Sequence, residues 1–182
     1  VVQRDWNEAY GKLYFKNNGN ELLTKKLFVS ASELSENHAE IIRSEIRKVK
    51  PLSSDHTLYE VEYMKNDEIY TEEVPLVRLK GVWKVDGDAE FVEKNVGIRV
   101  PKGATVYYDG LELGEMYAKE AENEMQIYVL PESFNGMHYI RVEKQNMETE
   151  ERLVNLDPEE TFEIPLKYGQ ELLKKAGEQA LA

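Results

Sequence analysis

From residue 57 onward, apolar and polar residues alternate in short runs separated by turn residues, and this spacing constrains the fold most. Tyr59, Val61 and Tyr63 fall on one side of the first run, opposite two glutamates. A period of two is typical of a half-buried β-strand. Similar runs follow at Ile69–Leu79 and Val82–Val85, after the turns Lys-Asn-Asp-Glu and Lys-Gly. The sequence therefore predicts an antiparallel three-stranded meander, with Trp83 in its core.

The first fifty residues show a helical period instead. Trp6–Leu13 has apolar residues at i, i+3, i+4 and i+7, with Asp5 placed to cap the helix. A short helix is predicted at Glu21–Phe28 and a longer one at Ser35–Val49, which Pro51 ends. The stripe that indicates the longer helix is Ala39, Ile42, Ile46 and Val49. Helices followed by a meander predict an α+β domain.

Beyond residue 95 only strand-length runs occur until the last helix-like segment. Short runs bounded by Gly, Pro, Asn and Asp are typical of a small β-sandwich or half-barrel. We therefore predict an α+β domain over residues 1–94, a small all-β domain over 95–168, and a C-terminal helix or the start of a following domain over 169–182. The apolar stripe of this last segment is Leu172, Leu173, Ala176 and Ala180. Such a stripe needs a surface to pack against.

Charge and composition exclude several functions. The 182 residues include 23 basic and 35 acidic side chains, for a net charge of −12, which opposes binding to nucleic acid or to an anionic membrane. A cationic partner is electrostatically easier, but solubility is the simpler explanation of the acidic surface. The chain has no Cys, so thiolate zinc sites, disulfides and Cys nucleophiles are excluded. Its three His are far apart, and Asp86-Gly87-Asp88 fits a turn better than a calcium loop. We predict no metal and no cofactor.

Two stretches carry a resemblance to known families. The meander and its ending, Lys80-Gly81-Val82-Trp83-Lys84-Val85, resemble the sheet of an NTF2-like (cystatin-like) domain. Val100-Pro101-Lys102-Gly103-Ala104 through Asp109-Gly110, followed by Leu130-Pro131 and Gly136-Met137-His138, is similar to small β-domains of Gram-positive envelope proteins. The order of these parts resembles the teicoplanin-resistance-associated membrane protein family.

The resemblance implies an extracytoplasmic location. Val1 is not an initiator Met and the last helix looks unfinished, so we expect a longer parent that is anchored upstream of Val1 by a membrane span or a lipid. No run approaches the roughly 18 apolar residues of a membrane span. The implied partner is a cell-wall component or another envelope protein. The membrane is reached only through parts outside this segment.

Candidate binding residues come from the same resemblance, because NTF2-like sheets often enclose a conical pocket. The aromatic residues that would line it are Trp6, Tyr10, Tyr14, Tyr59, Tyr63 and Tyr70. Such an aromatic set is more often a packed core than a ligand site. Ser53-Ser54-Asp55-His56 has the residue types of a hydrolase triad, but triad members must converge from separate positions. We therefore expect a non-catalytic binding or structural module; the alternative is a small-ligand binder or enzyme that uses the pocket.

Overall fold

The computed structural model describes residues 5–17, 19–35, 41–120, 123–156 and 161–169. Within these ranges three sheets dominate, and the α-helices are short. The chain divides into two compact units, Val1–Val92 and Glu93–Ala182. The sequence analysis placed this division after residue 94.

The first unit contains the described α-helices. Its elements are α1 (Trp6–Lys12), β1 (Leu13–Tyr14), α2 (Lys25–Leu34), β2 (Ile41–Pro51), β3 (His56–Lys65), β4 (Glu68–Leu79), β5 (Val82–Asp86) and α3 (Gly87–Phe91). The strands form one sheet in the order β1-β5-β4-β3-β2, in which β1 joins β5 in parallel and the other pairs are antiparallel. Asp5 caps α1 by accepting a hydrogen bond from the Glu8 amide, as predicted.

The second unit consists of two four-stranded sheets. Its elements are β6 (Val92–Pro101), β7 (Thr105–Tyr108), β8 (Leu111–Glu112), a 3₁₀ turn (Glu115–Tyr117), β9 (Ala118–Glu120), β10 (Met125–Phe134), β11 (Gly136–Glu143), β12 (Glu150–Leu156) and β13 (Thr161–Glu163). The sheet orders are β13-β6-β10-β9 and β12-β11-β7-β8. Alternate residues of both sheets are fully buried, among them Ile98, Val106 and Ile140, so the core lies where period-two strands place it.

The predicted fold class, α+β with a substantial helical part, is wrong, because the described chain is mostly β. The largest error concerns Ser35–Val49, which was predicted as a helix. Residues 36–40 lie outside the described ranges, and from Ile41 the segment is the edge strand β2. Its β-branched residues favour a strand, and β2 is paired with β3 along most of its length.

A β-bulge explains why β2 resembles a helix in sequence. Ile46 and Val49 are three residues apart on β2, but their partners on β3, Val61 and Tyr59, are only two residues apart. Arg47 is the extra residue of the bulge. A bulge places residues three apart on the same face, which is the spacing that a helical stripe also has.

Two further predictions have a clear outcome. Trp83 was predicted to be core, but it is 39% exposed, and the Arg78 guanidinium lies 5.8 Å from its ring centroid. Asp86-Gly87-Asp88 was predicted as a turn but begins the short helix α3, where the Asp88 carboxylate accepts a hydrogen bond from the Lys16 amide.

The predicted C-terminal helix, residues 169–182, lies outside the described ranges except for Gly169. None of the described helices has the length and hydropathy needed to cross a membrane.

Candidate functional site

The predicted aromatic pocket is divided in the structure. Trp6 and Tyr10 on α1 both pack against Phe28 of α2, with ring centroids 6.3 and 5.6 Å away. The Tyr10 hydroxyl donates a hydrogen bond to the Leu23 carbonyl, and burial raises the pKa of this phenol. Phe28 also meets Phe91 of α3 edge to face at 5.5 Å. Trp6 and Tyr10 are thus part of the packing among the helices of the first unit.

The other members lie on the sheet, and not on a single face. Tyr59, Tyr63 and Tyr70 share one face, because Tyr63 pairs directly with Tyr70 and lies four residues from Tyr59 on β3. Tyr14 pairs with Asp86, one position beyond the pair Leu13 and Val85 that belongs to that face. Tyr14 therefore lies on the opposite face, and the six residues do not line one pocket.

A shallow groove does occur beside the helices. It has a volume of about 580 Å³ and is lined by Asn7, Lys25, Lys26, Val29, Ser30 and Glu33. None of the six predicted aromatic residues lines it. Its lining is mixed in charge and carries no nucleophile or acid–base pair that the sequence had singled out.

The Ser53-Asp55-His56 cluster forms a local hydrogen-bonded loop. The Ser53 hydroxyl donates to Asp55 Oδ1 at 2.6 Å, and His56 Nδ1 lies 3.0 Å from the same oxygen and 3.3 Å from the hydroxyl. The hydrogen bonds from Ser53 and then His56 lower the pKa of Asp55. A catalytic triad needs the carboxylate and the hydroxyl on different imidazole nitrogens. Here one nitrogen faces both groups, so the loop has no relay geometry.

A second polar cluster, which the sequence analysis did not find, is buried in the second unit. His138 of β11 is fully buried, and its Nδ1 lies 2.7 Å from Asp109 Oδ2, whose side chain is 2% exposed. His138 Nε2 donates to the Phe134 carbonyl at 2.8 Å. Asp109 Oδ1 accepts from the Tyr139 amide at 2.8 Å, and the Asp109 amide donates to the Tyr139 carbonyl. The turn after β7 is thereby fixed to β11.

Tyr108 and Ser133 complete this buried cluster. The Tyr108 ring stacks on His138 at 4.8 Å, and its hydroxyl lies 2.7 Å from His138 Nδ1 and also hydrogen-bonds the Ser133 hydroxyl. Burial is the main cause that raises the pKa of Tyr108 well above its usual value. Because Ser133 lies on β10 and Tyr108 on β7, the cluster joins the two sheets of this unit.

The cluster contains Ser, His and Asp but is not arranged for nucleophilic catalysis. Ser133 and His138 are both fully buried. The Tyr108 hydroxyl contacts Ser133 and His138 Nδ1, while His138 Nε2 is used by a backbone carbonyl. A triad histidine presents one nitrogen to the hydroxyl and the other to the carboxylate. The arrangement therefore fixes strands to one another and offers no attacking group to a substrate.

The sequence contained a signal for this cluster. Asp109 is the first residue of an Asp-Gly turn and has φ of +47°, and the turn itself was predicted. His138 was predicted to be a separate surface or edge residue at the start of a strand, but it is fully buried. Asp109 and His138 are 29 positions apart in the sequence, and their contact could be predicted only by knowing that β7 and β11 are neighbours.

One face of the sheet in the first unit carries neighbouring exposed and half-buried apolar side chains. Direct cross-strand pairing places the following residues on this face, which we call the open face: Ile46, Val49, Tyr59, Val61, Tyr63 and Val74. Ile46 and Val49 are 56% and 49% exposed, and the others are half-buried. The opposite face of the same strands carries ion pairs instead, including Lys50 with Glu73 and Arg47 with Glu62.

Two tyrosine–carboxylate pairs lie on the open face, between its centre and the β3–β4 turn. The Tyr63 and Tyr70 rings stack at 5.5 Å, and their hydroxyls donate to Glu72 and Glu68 at 2.5 and 2.7 Å. These hydrogen bonds are the main cause that raises both phenol pKa values, that of Tyr63 to about 12. Glu68, Tyr70 and Glu72 follow one another at intervals of two residues on β4, so their side chains lie on the same face.

Among the described residues, no group of three or more His, Asp or Glu side chains is placed to hold a metal ion. Comparison of the chain with protein-family models, curated proteins and solved structures finds no match.

Proposed function

We propose that this chain is a non-catalytic binding or structural module of a bacterial envelope protein, located outside the cytoplasm. The observation that carries the binding part is the open face on strands β2, β3 and β4, where Ile46 and Val49 are exposed and the neighbouring tyrosine and valine side chains are half-buried. Sheets normally bury their apolar face against another layer. An exposed contiguous apolar face is typical of an interaction site.

The buried cluster supports the non-catalytic part of the proposal. Its hydroxyl, Ser133, is out of reach of a substrate, and its histidine is held by a backbone carbonyl. A fluorophosphonate that labels activated serines tests this point directly. We expect no labelling of the folded protein at Ser133. Labelling that Ser133→Ala abolishes would contradict the proposal.

The location rests on the resemblance of the Lys80–Val85 and Val100–Gly110 segments to bacterial envelope domains. In the bacterium that encodes the chain, a membrane-impermeant amine-reactive biotin should label its lysines in intact cells. A cytoplasmic protein serves as the control and should remain unlabelled until lysis. Labelling only after lysis would contradict an extracytoplasmic location.

A further inference from the structure

We propose that the open face binds one basic amphipathic helix of a partner protein. This inference rests on the proposed binding function and names the partner's chemistry. The first step is size. Strands β2, β3 and β4 span about 10 Å from the first to the third axis, since neighbouring strands lie about 4.8 Å apart. A helix with its side chains is about 10–12 Å across. One helix therefore covers the width of the open face.

The second step is the apolar contact. Ile46 and Val49 on β2 are exposed, and Val61 lies between them and β4 in the pairing register. These aliphatic side chains form a strip that matches the apolar stripe of an amphipathic helix. Burying them supplies the favourable free energy of the contact, at about 25 cal/mol per Å² of apolar surface removed from water.

The third step is charge. Glu72, paired with Val61, and Glu68, paired with Lys65 beside the β3–β4 turn, place two carboxylates and one ammonium group on the open face. The carboxylates accept hydrogen bonds from the stacked Tyr63 and Tyr70. Carboxylates attract Lys and Arg, and aromatic ring faces bind the same cations. The chain as a whole has a net charge of −12, which increases the rate of encounter with a cationic partner. The charges select a basic helix over an acidic one.

The fourth step is the contrast with the other face of the same strands. There, Lys50 pairs with Glu73 and Arg47 with Glu62, so cations and anions satisfy one another across the strands. Ile69 is an exposed aliphatic residue on that face, paired with Met64 and 63% exposed. It provides a matched control for Ile46, because both are exposed isoleucines of the same sheet.

The test uses the complete 182-residue chain and a synthetic 18-residue helical peptide with a leucine stripe flanked by lysines. Binding is measured by calorimetry, beside a peptide in which glutamates replace the lysines. We expect saturable one-to-one binding of the lysine peptide only. Ile46→Ala should weaken it at least threefold, whereas Ile69→Ala leaves it unchanged. Glu68→Gln with Glu72→Gln should weaken it about 2- to 30-fold, the effect of losing two exposed ion pairs.

Several results would overturn the proposal. These are no binding of the lysine peptide at millimolar concentration, equal binding of the glutamate peptide, or equal effects of Ile46→Ala and Ile69→Ala. A dimer in sedimentation that Ile46→Ala dissociates would assign the face to a second copy. Binding to anionic vesicles that Ile46→Ala abolishes would assign it to a membrane. Because surface biotinylation reports location independently, a negative peptide result beside positive labelling refutes this inference alone.

Discussion

Asp109 performs three tasks at one position. Its backbone adopts φ of +47°, its Oδ1 accepts from the Tyr139 amide, and its Oδ2 faces His138 Nδ1. Asp and Asn tolerate positive φ better than most residues do. The buried pair with His138 adds a second requirement, because a polar group left without a partner in the core costs free energy.

Replacing Asp109 by Ala should separate these two requirements when Asn146→Ala is the control. Asn146 has φ of +66° in the same unit but is exposed, so both variants lose a residue suited to positive φ. We expect Asp109→Ala to reduce the free energy of unfolding by about 1–3 kcal/mol more than Asn146→Ala does. Urea denaturation of both variants measures the difference. Equal losses would show that the buried cluster does not hold the strands together.

Tyr63 offers a pH-dependent test. Its phenol donates to the Glu72 carboxylate, and this hydrogen bond is the first cause of a pKa of about 12. A folded-state pKa above the unfolded value of about 10 means that the stabilisation is complete below pH 10 and disappears as pH rises through about 12. Glu72→Gln should move the pKa of Tyr63 toward 10, and Glu73→Gln on the opposite face should not. Carbon-13 NMR of labelled tyrosine measures both; an unchanged pKa in Glu72→Gln would refute the contact.

Among the elements, β2 shows the largest difference between the structure predicted from the sequence and the structure observed. Deleting Arg47 removes only the extra residue of the bulge, so Ile46 and Val49 keep their partners on β3. Deleting Glu45, which is not a bulge residue, shifts the preceding residues by one and turns their side chains to the other face. We expect the Arg47 deletion to melt at the higher temperature. The reverse order would argue that the segment is not a bulged strand.

Strands with a strict period of two were predictable. Residues 105–108 were predicted as a strand and form one with the same bounds, and the predicted Thr57–Met64 is observed as His56–Lys65. Local alternation specifies such strands without knowledge of their neighbours. β2 was mispredicted because its bulge gives Ile46 and Val49 a helical spacing. Trp83 was predicted to be core because its large ring could close the open end of the meander, but the side chain is 39% exposed.

The candidate sites depend on which strands are neighbours in the fold, and a single sequence does not show this. The six aromatic residues of the predicted pocket were chosen for type and period, and the structure places Tyr14 on the opposite face from Tyr63. Asp109 and His138 become neighbours only because β7 pairs with β11. The alternation of Tyr59, Val61 and Tyr63 did predict one apolar face, but how much of it other elements cover is a property of the fold.

Across the whole molecule, the two units differ in how much of their apolar sheet surface is buried. In the second unit the residues between its sheets are fully buried, Ile98 and Val106 among them. In the first unit, helix–strand packing is most extensive between α3 and the strands β1 and β4, and the aliphatic residues of β2 remain exposed. One closed core and one incompletely covered sheet within the same chain are what the proposed binding role requires.

Solvent relaxation of methyl groups tests the open face most directly. A neutral, soluble paramagnetic agent added to the methyl-labelled chain broadens the methyl signals that water reaches. We expect strong broadening for Ile46 and Val49, which are exposed, and little for Ile98 and Val106, which are fully buried in the same molecule. Protection of Ile46 and Val49 equal to that of Ile98 and Val106 would contradict it, because the face would then already be covered without a partner.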